Sequence, residues 1–333
     1  MSERVTVLGD GGWGTALAIV LSDHGCDVEL WSHDAGYAAE MEESRRNPRF
    51  LPGVEIPPAI SVGSDLAAAV GDCEILFSVI PTQFLAAVHE KVKPHYAGQA
   101  IVSATKGIDT ESLLRPTEII KQTLGQDAPT VVVSGPSHAE EVSRRMPTTV
   151  VAGSKDMGLA RRVQDLLATD RFRVYTHNDA IGVELGGALK NVISIAGGIV
   201  DGLGFGDNTK AALLTRGIVE MSRLGEALGG QRVTFFGLSG IGDLITSCTS
   251  EHGRNRLVGW RLGRGERLDD ILASMQQVAE GVRTSKAVMR LSEKTGVEMP
   301  ICAEVHAILF EGKDPGSAVR DLMTRHLKDE VEW

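Results

Sequence analysis

The chain is poor in the residues that staple small folds together. Its 333 residues include four cysteines and twelve prolines. Cys26, Cys73, Cys248 and Cys302 lie far apart and none forms a CxxC, which excludes a zinc knuckle or a dithiol redox couple. Scattered cysteines in a chain of this length read as reduced, buried thiols, and so lead us to expect a cytoplasmic protein. Positive charge is also short. Lys and Arg number 34 against 44 Asp and Glu, a net charge of −10, which argues against general binding to nucleic acid or an anionic membrane. No signal-peptide pattern opens the sequence. The longest apolar stretch, Ile181 to Val200, carries Glu184, Lys190 and Asn191. That argues against membrane insertion and predicts a buried core helix. The histidines offer no ligand pattern, so no metal site is expected.

Glycine is what the chain has in excess: 38 residues, about 11% against a usual ~7%. The first cluster lies in VTVLGDGGWGTALA, where Gly9, Gly11 and Gly14 have G-x-G-x-x-G spacing. It follows an apolar strand and opens a helix, the context a dinucleotide-binding turn requires. Gly9 permits the tight turn, Gly11 the approach of a pyrophosphate, and Gly14 the packing of helix on strand. The helix N-terminus then faces the phosphates. An NAD-selective fold usually places Asp or Glu at the end of the second strand. Here that slot falls near Ser32, followed by His33 and Asp34. Ser32 and His33 can face a 2′-phosphate without like-charge repulsion, which favours NADPH over NADH. The alternative is that Asp34 takes the ribose and Ser32 only caps the next helix.

Apolar strands alternate with helical stretches as far as Tyr175, which predicts an α/β Rossmann domain over residues 1–182, a doubly wound, mostly parallel sheet. Pro81 reads as the first residue of one of its helices. From about Ile181 the periodicity is helical almost throughout, which predicts an all-α domain over residues 183–333. No linker separates the halves, so a shared long helix and a cleft between them are expected. The apolar helical half also leads us to expect a homodimer.

Three further clusters carry chemistry. Lys106 and Gly107 follow a predicted strand at its C-terminal end, where open α/β sheets bind ligands; otherwise Lys106 is a surface charge. Gly135 and Ser137 stand in GPSHAEE, where Ser137 can cap a helix and turn its N–H toward an anion. Lys190 sits mid-way along the apolar helix, with Asn191 beside it. A buried Lys has its pKa lowered, which suits proton exchange with a substrate hydroxyl; the alternative is a Lys that snorkels to solvent. In GLSGIGDLITSCTSEHGRNR, Asp243 follows a glycine turn and Arg254 stands beside Asn255. An Arg fork next to an amide suits a phosphate monoester, although Arg254 and Arg256 also read as solvated helix charges.

Together these blocks resemble the NAD(P)-dependent glycerol-3-phosphate dehydrogenases of the bacterial type. The resemblance rests on GDGGWGTALA, ATKGI, SGPSHAEEV, LGGALKNVISIAGGIVDGLGFGDNTKAAL, GLSGIGDLITSCTS, GRNR and the Val278–Gly281 stretch. It runs from Val5 to about Met323. It implies a helical C-terminal domain like that of 6-phosphogluconate dehydrogenase, and reversible reduction of dihydroxyacetone phosphate to sn-glycerol 3-phosphate, the precursor of phospholipid. By position it makes Lys190 the proton donor and acceptor, with Lys106, Asp243 and Asn191 around it. It assigns Lys106, Gly135, Ser137, Lys190, Asp243, Gly253, Arg254 and Asn255 to the substrate. Gly12, Trp13, His33, Lys106, Ala139, Arg254, Val278 and Glu280 fall to NADPH or NADH. The chain departs from the family at Asp10 and Gly12, where GAGSWG is usual, and at Gly253, where Ser is common. Two other readings compete: another β-hydroxyacid or sugar-phosphate dehydrogenase of this architecture, which would lack the GFGDNTKAAL and GRNR blocks, and a non-catalytic NADPH sensor, which would need neither Lys190 nor Arg254.

Overall fold

The computed structural model describes residues 2–275, 277–327 and 329–330. The first half begins β1 (Arg4–Leu8), α1 (Gly12–His24), β2 (Asp27–Trp31), α2 (Ala35–Ser44), β3 (Arg46–Asn47), β4 (Leu51–Glu55) and β5 (Ile60–Gly63). It continues α3 (Leu66–Gly71), β6 (Ile75–Ser78), α4 (Thr82–Val92), β7 (Ala100–Ser103), α5 (Pro116–Leu124) and β8 (Thr130–Ser134). It closes with α6 (Ala139–Val142), β9 (Thr148–Gly153), α7 (Met157–Leu167) and β10 (Phe172–His177). The second half is α8 (Ala180–Gly202), α9 (Asp207–Ala227), α10 (Asp243–Thr249), α11 (Arg254–Gly263), α12 (Leu268–Ala273), α13 (Glu280–Thr295), α14 (Pro300–Phe310) and α15 (Pro315–Met323).

Eight strands form one sheet in the order β10-β9-β8-β7-β6-β1-β2-β5. All neighbouring pairs run parallel except β8 and β9. The sheet is therefore mixed at that step, where uniform alternation predicts a parallel one. The reason is α6, which is a single turn and provides no crossover helix. Pro81 is the cap of α4 rather than its first residue. The weakly apolar α2 and the short β3–β4 hairpin and β5 carry little periodicity, and the pattern reading passes over them.

The loops after β1, β6, β7 and β8 emerge along one edge of the sheet. That is the edge where ligands bind in this architecture. One core cluster lies in the sheet half and a second in the helical half. α8 is long and apolar enough to cross a membrane, but it is buried inside the protein. Its first turns pack on the sheet, with Val183 against Val132 and Val151, and its remainder forms the axis of the helical half. The boundary at 182/183 thus falls within the first turn of a helix that packs on the sheet at its start and in the helical core beyond.

Three of the glycines inside α8, Gly186, Gly198 and Gly202, are explained by backbone contact. A Cβ on Gly198 would lie 2.0 Å from the Arg256 carbonyl oxygen, and one on Gly202 would lie 2.3 Å from that of Trp260. From the other side, a Cβ on Gly259 would lie 1.9 Å from the Ile195 carbonyl oxygen. α8 and α11 cross at a distance that only glycine allows, which offsets the ~1 kcal/mol helix cost of each. Gly198→Ala is expected to destabilise the fold by about 1–3 kcal/mol through overpacking. Urea unfolding of the purified variant measures this, and an unchanged midpoint would show that the crossing is loose.

Candidate active site

Lys190 comes from the middle of α8, where the helix turns one face toward the loops after β7 and β8. Its Nζ lies 3.1 Å from Asp243 Oδ1 and 2.5 Å from Ser247 Oγ. Lys106, in the loop after β7, meets the other oxygen of the same carboxylate at 2.6 Å. It also donates to the Gly135 carbonyl oxygen at 2.9 Å. Asp243 is thus a buried carboxylate between two ammonium groups. Burial alone would raise its pKa, but the two cations overcome this and hold it below the ordinary value. Lys190 is itself buried, and burial pulls its pKa down to about 8 against the support of Asp243.

A wide i→i+5 turn over Leu238–Gly242 leads into α10 and starts it at Asp243. Such turns often mark functional sites. Asp243 and Ser247 then share a helix face at i,i+4, with Ser247 Oγ donating to Asp243 Oδ1 at 3.2 Å. Ser247 escaped the sequence reading, although that spacing was its signal. His138 also escaped it. Its imidazole sits among Lys190, Asp243 and Lys106, and burial and the two lysines depress its pKa. Its Nε2 is buried and, among the described residues, has no hydrogen-bond partner.

Ser137 does not cap α6. His138 occupies the cap position, and the Ser137 hydroxyl donates to the Gly135 carbonyl oxygen at 2.9 Å. Asn191 and Asn255 form a brace rather than two free amides. Asn191 Nδ2 donates to the Lys106 carbonyl oxygen, Asn255 Nδ2 donates to Asn191 Oδ1, and Asn255 Oδ1 accepts the Gly281 N–H at 2.9 Å. Arg256 is not a free charge either, since it pairs with Asp201 at 2.7 Å. Arg254 is different. Its residue surface is exposed, and the charges of Glu140 and Glu280 act on its guanidinium. Lys106 and Lys190 converge on one carboxylate.

The glycine loop fits a dinucleotide. Gly9 has φ +118°, and a Cβ there would lie 2.7 Å from the Val79 carbonyl oxygen. A Cβ on Gly14 would lie 1.9 Å from the Gly9 carbonyl oxygen, so the loop and α1 pack at backbone distance. Gly11 faces open space. It caps α1 without any side-chain bond, which leaves the first N–H groups of the helix for an anion. In the same first turn, Trp13 Nε1 is buried and has no hydrogen-bond partner among the described residues. Ala139 borders the loop: its Cβ lies 3.5 Å from where a Gly12 Cβ would stand. Glu280 accepts the Thr82 N–H at 3.2 Å, and the half-buried Val278 lies just before it. The loop after β1, the start of α4, α6 and the start of α13 therefore line one cleft with the lysine pair.

That cleft has known counterparts. The family models for the N-terminus and the C-terminus of NAD-dependent glycerol-3-phosphate dehydrogenase match residues 4–160 and 179–320. The chain belongs to this family. A Geobacillus kaustophilus glycerol-3-phosphate dehydrogenase [NAD(P)+] is 49% identical over 99% of this chain and 97% of its own. The Bacillus subtilis protein of the same name is 48% identical, over 99% and 96%. The solved glycerol-3-phosphate dehydrogenase of Coxiella burnetii superposes with a TM-score of 0.93 at 38% identity, covering 97% of this chain and 99% of that one. In this family member the glycine departures have local causes. A Cβ on Gly12 would lie 2.6 Å from the Phe50 carbonyl oxygen, and one on Gly253 would lie 2.8 Å from that of Ser247. Backbone occupies the room that a serine side chain would need. Asp10 turns away from the helix N-terminus and accepts a hydrogen bond from Ser32 Oγ at 2.8 Å. Ser32 is fully buried and so does not face a ligand, while His33 is exposed.

Proposed function

We propose that this chain catalyses the reversible reduction of dihydroxyacetone phosphate to sn-glycerol 3-phosphate with NADH or NADPH, and so feeds glycerophospholipid synthesis. The observation that carries the reading is the Lys190–Asp243–Lys106 cluster, with Lys190 and Asp243 buried, in one cleft with the glycine loop. Family membership and relatives aligned over nearly the whole chain support the same activity. In this reading Gly11, Gly12, Trp13 and Gly14 hold the pyrophosphate, with His33, Ala139, Val278 and Glu280 along the rest of the cofactor. Bound NAD(P)H supplies the hydride. Lys190 gives its proton to the carbonyl oxygen as charge develops there, and takes one from the alcohol in the reverse direction. Asp243 and Ser247 hold the ammonium in place, and Lys106 adds positive charge near the developing alkoxide. Gly135 and Ser137 border the substrate, and Gly253 starts the helix that carries Arg254. Arg254 grips the phosphate, with the Asn191–Asn255 brace fixing the amide next to it.

The reading includes a sheet domain over 1–182, a helical domain over 183–333 and a cytoplasmic setting, the last supported by four unpaired, buried thiols. It includes a homodimer, supported by exposed apolar side chains on the helical half such as Phe205, Leu257 and Trp260. Initial-rate assays with dihydroxyacetone phosphate and each reduced cofactor, run against a set of β-hydroxyacids, test the activity. Preference for a hydroxyacid would move the chain to the sister class, and cofactor binding without turnover would make it a sensor. Arg254→Ala is expected to raise KM for dihydroxyacetone phosphate by about tenfold or more, the loss of one charge-assisted contact. An unchanged KM would remove Arg254 from the phosphate site.

A further inference from the structure

In dinucleotide folds of this type, selectivity for NAD comes from a carboxylate at the end of the second strand that bonds the ribose 2′-hydroxyl. Here β2 ends at Trp31, and the slot holds Ser32. The register supplies a carboxylate from elsewhere. Leu8 pairs with Trp31 across the parallel strands β1 and β2, and the Gly9 N–H donates to the Trp31 carbonyl oxygen at 3.1 Å. The chain just past β1 therefore runs beside the chain just past β2. Asp10 stands in that stretch, with Oδ2 on the Ser32 hydroxyl at 2.8 Å. Among the described residues no donor reaches its other oxygen. Its backbone is held as well, since Asn47 Nδ2 donates to the Asp10 carbonyl oxygen at 2.6 Å.

We propose that Asp10 replaces the missing strand-end carboxylate and makes this chain select NADH over NADPH. The inference rests on the dehydrogenase reading only in that the glycine loop binds a nicotinamide dinucleotide. Ser32, the residue that favours a 2′-phosphate in the sequence, has its hydroxyl directed at Asp10 and its surface closed. Asp10 is itself buried but keeps 7% of its surface open, where Ser32 has none; its second oxygen can accept from a ribose 2′-hydroxyl, whereas a 2′-phosphate in the same slot brings two anions together. The nearby cation does not cancel this. Arg49 lies over the Tyr37 ring at 3.8 Å and is already shared by Asp34 at 3.4 Å and Glu40 at 3.9 Å. Asp10 is a specificity-determining residue and has no part in proton transfer.

The test is equilibrium binding by calorimetry, without substrate. The wild-type chain is titrated with NADH and NADPH, and with the fragments 5′-AMP and adenosine 2′,5′-bisphosphate. Asp10→Ala and the isosteric Asp10→Asn are titrated with the two cofactors. The wild type is expected to bind NADH at least tenfold more tightly than NADPH, and the unphosphorylated fragment more tightly than the 2′-phosphorylated one. Both variants are expected to narrow the cofactor ratio at least fivefold, mainly by tightening NADPH. Equal or tighter binding of NADPH by the wild type would overturn the proposal, as would an unchanged ratio in a folded variant. The fragment titrations decide the matter on the wild-type chain if the variants do not fold. Discrimination without turnover of dihydroxyacetone phosphate would sink the activity and leave this inference standing. Turnover with no discrimination would do the reverse.

Discussion

Replacing Lys190 with Ala is expected to lower kcat for dihydroxyacetone phosphate reduction by about 10²–10⁴-fold, the range of a positioned general acid. Dinucleotide binding should survive, because the glycine loop and Lys190 lie on different elements. The fold should survive too, since Asp243 keeps its 2.6 Å partner in Lys106. The same residue sets a pH dependence. Burial brings the Lys190 pKa to about 8. Reduction needs the protonated form, so kcat/KM for the ketone should fall as pH rises through about 8. Oxidation of glycerol 3-phosphate needs the neutral amine, so its kcat/KM should rise through the same region. Rate profiles of the wild type in both directions check the sign. Near-normal kcat in Lys190→Ala, or parallel profiles in the two directions, would remove Lys190 from proton transfer.

Asp243→Ala should affect both stability and rate. Its carboxylate is the shared partner of two ammonium groups, and it is buried. Removing one partner of a buried ion pair typically costs about 3–5 kcal/mol. Part of that cost will be relieved by deprotonation of Lys190, whose pKa should drop further once Asp243 no longer supports it. The variant should therefore lose both unfolding free energy and kcat at neutral pH, where its Lys190 would be largely neutral. Asp243→Asn keeps the shape but turns one accepting oxygen into an NH2 that faces an ammonium donor, so it should recover only part of the stability and none of the rate. Denaturant unfolding and initial rates on the two variants separate these effects. Full activity in Asp243→Asn would mean that the charge of Asp243 has no role.

Much of this was legible along the chain because it is written in local pattern. The turn at Gly9–Gly14, the helix carrying Lys190 and the change from alternating to helical periodicity near Ile181 each depend on neighbouring residues. The glycines of α8 are plain in the sequence, but only the fold shows that Gly198 and Gly202 meet α11. What was not legible depends on residues far apart in sequence. Ser32 looked like a ligand to phosphate until Asp10, 22 positions earlier, was found on its hydroxyl. Asn255 looked like a free amide until its bonds to Asn191 and Gly281 were visible. His138 carried no motif of its own, and its meaning came only from the two lysines beside it.

The sequence by itself determined the fold class, the family resemblance and the residue types of the site. Periodicity, turn chemistry and a few long sequence blocks are properties of adjacent residues. Only the tertiary structure decided which charges share a partner, which hydroxyl is already spent and where β8 and β9 run antiparallel. Those outcomes follow from packing across the sheet edge, where Lys106 and Asp243, separated by 137 positions, come within 2.6 Å. At that distance two ammonium groups hold one buried carboxylate ionised, and that carboxylate supports the charge of Lys190 against its burial.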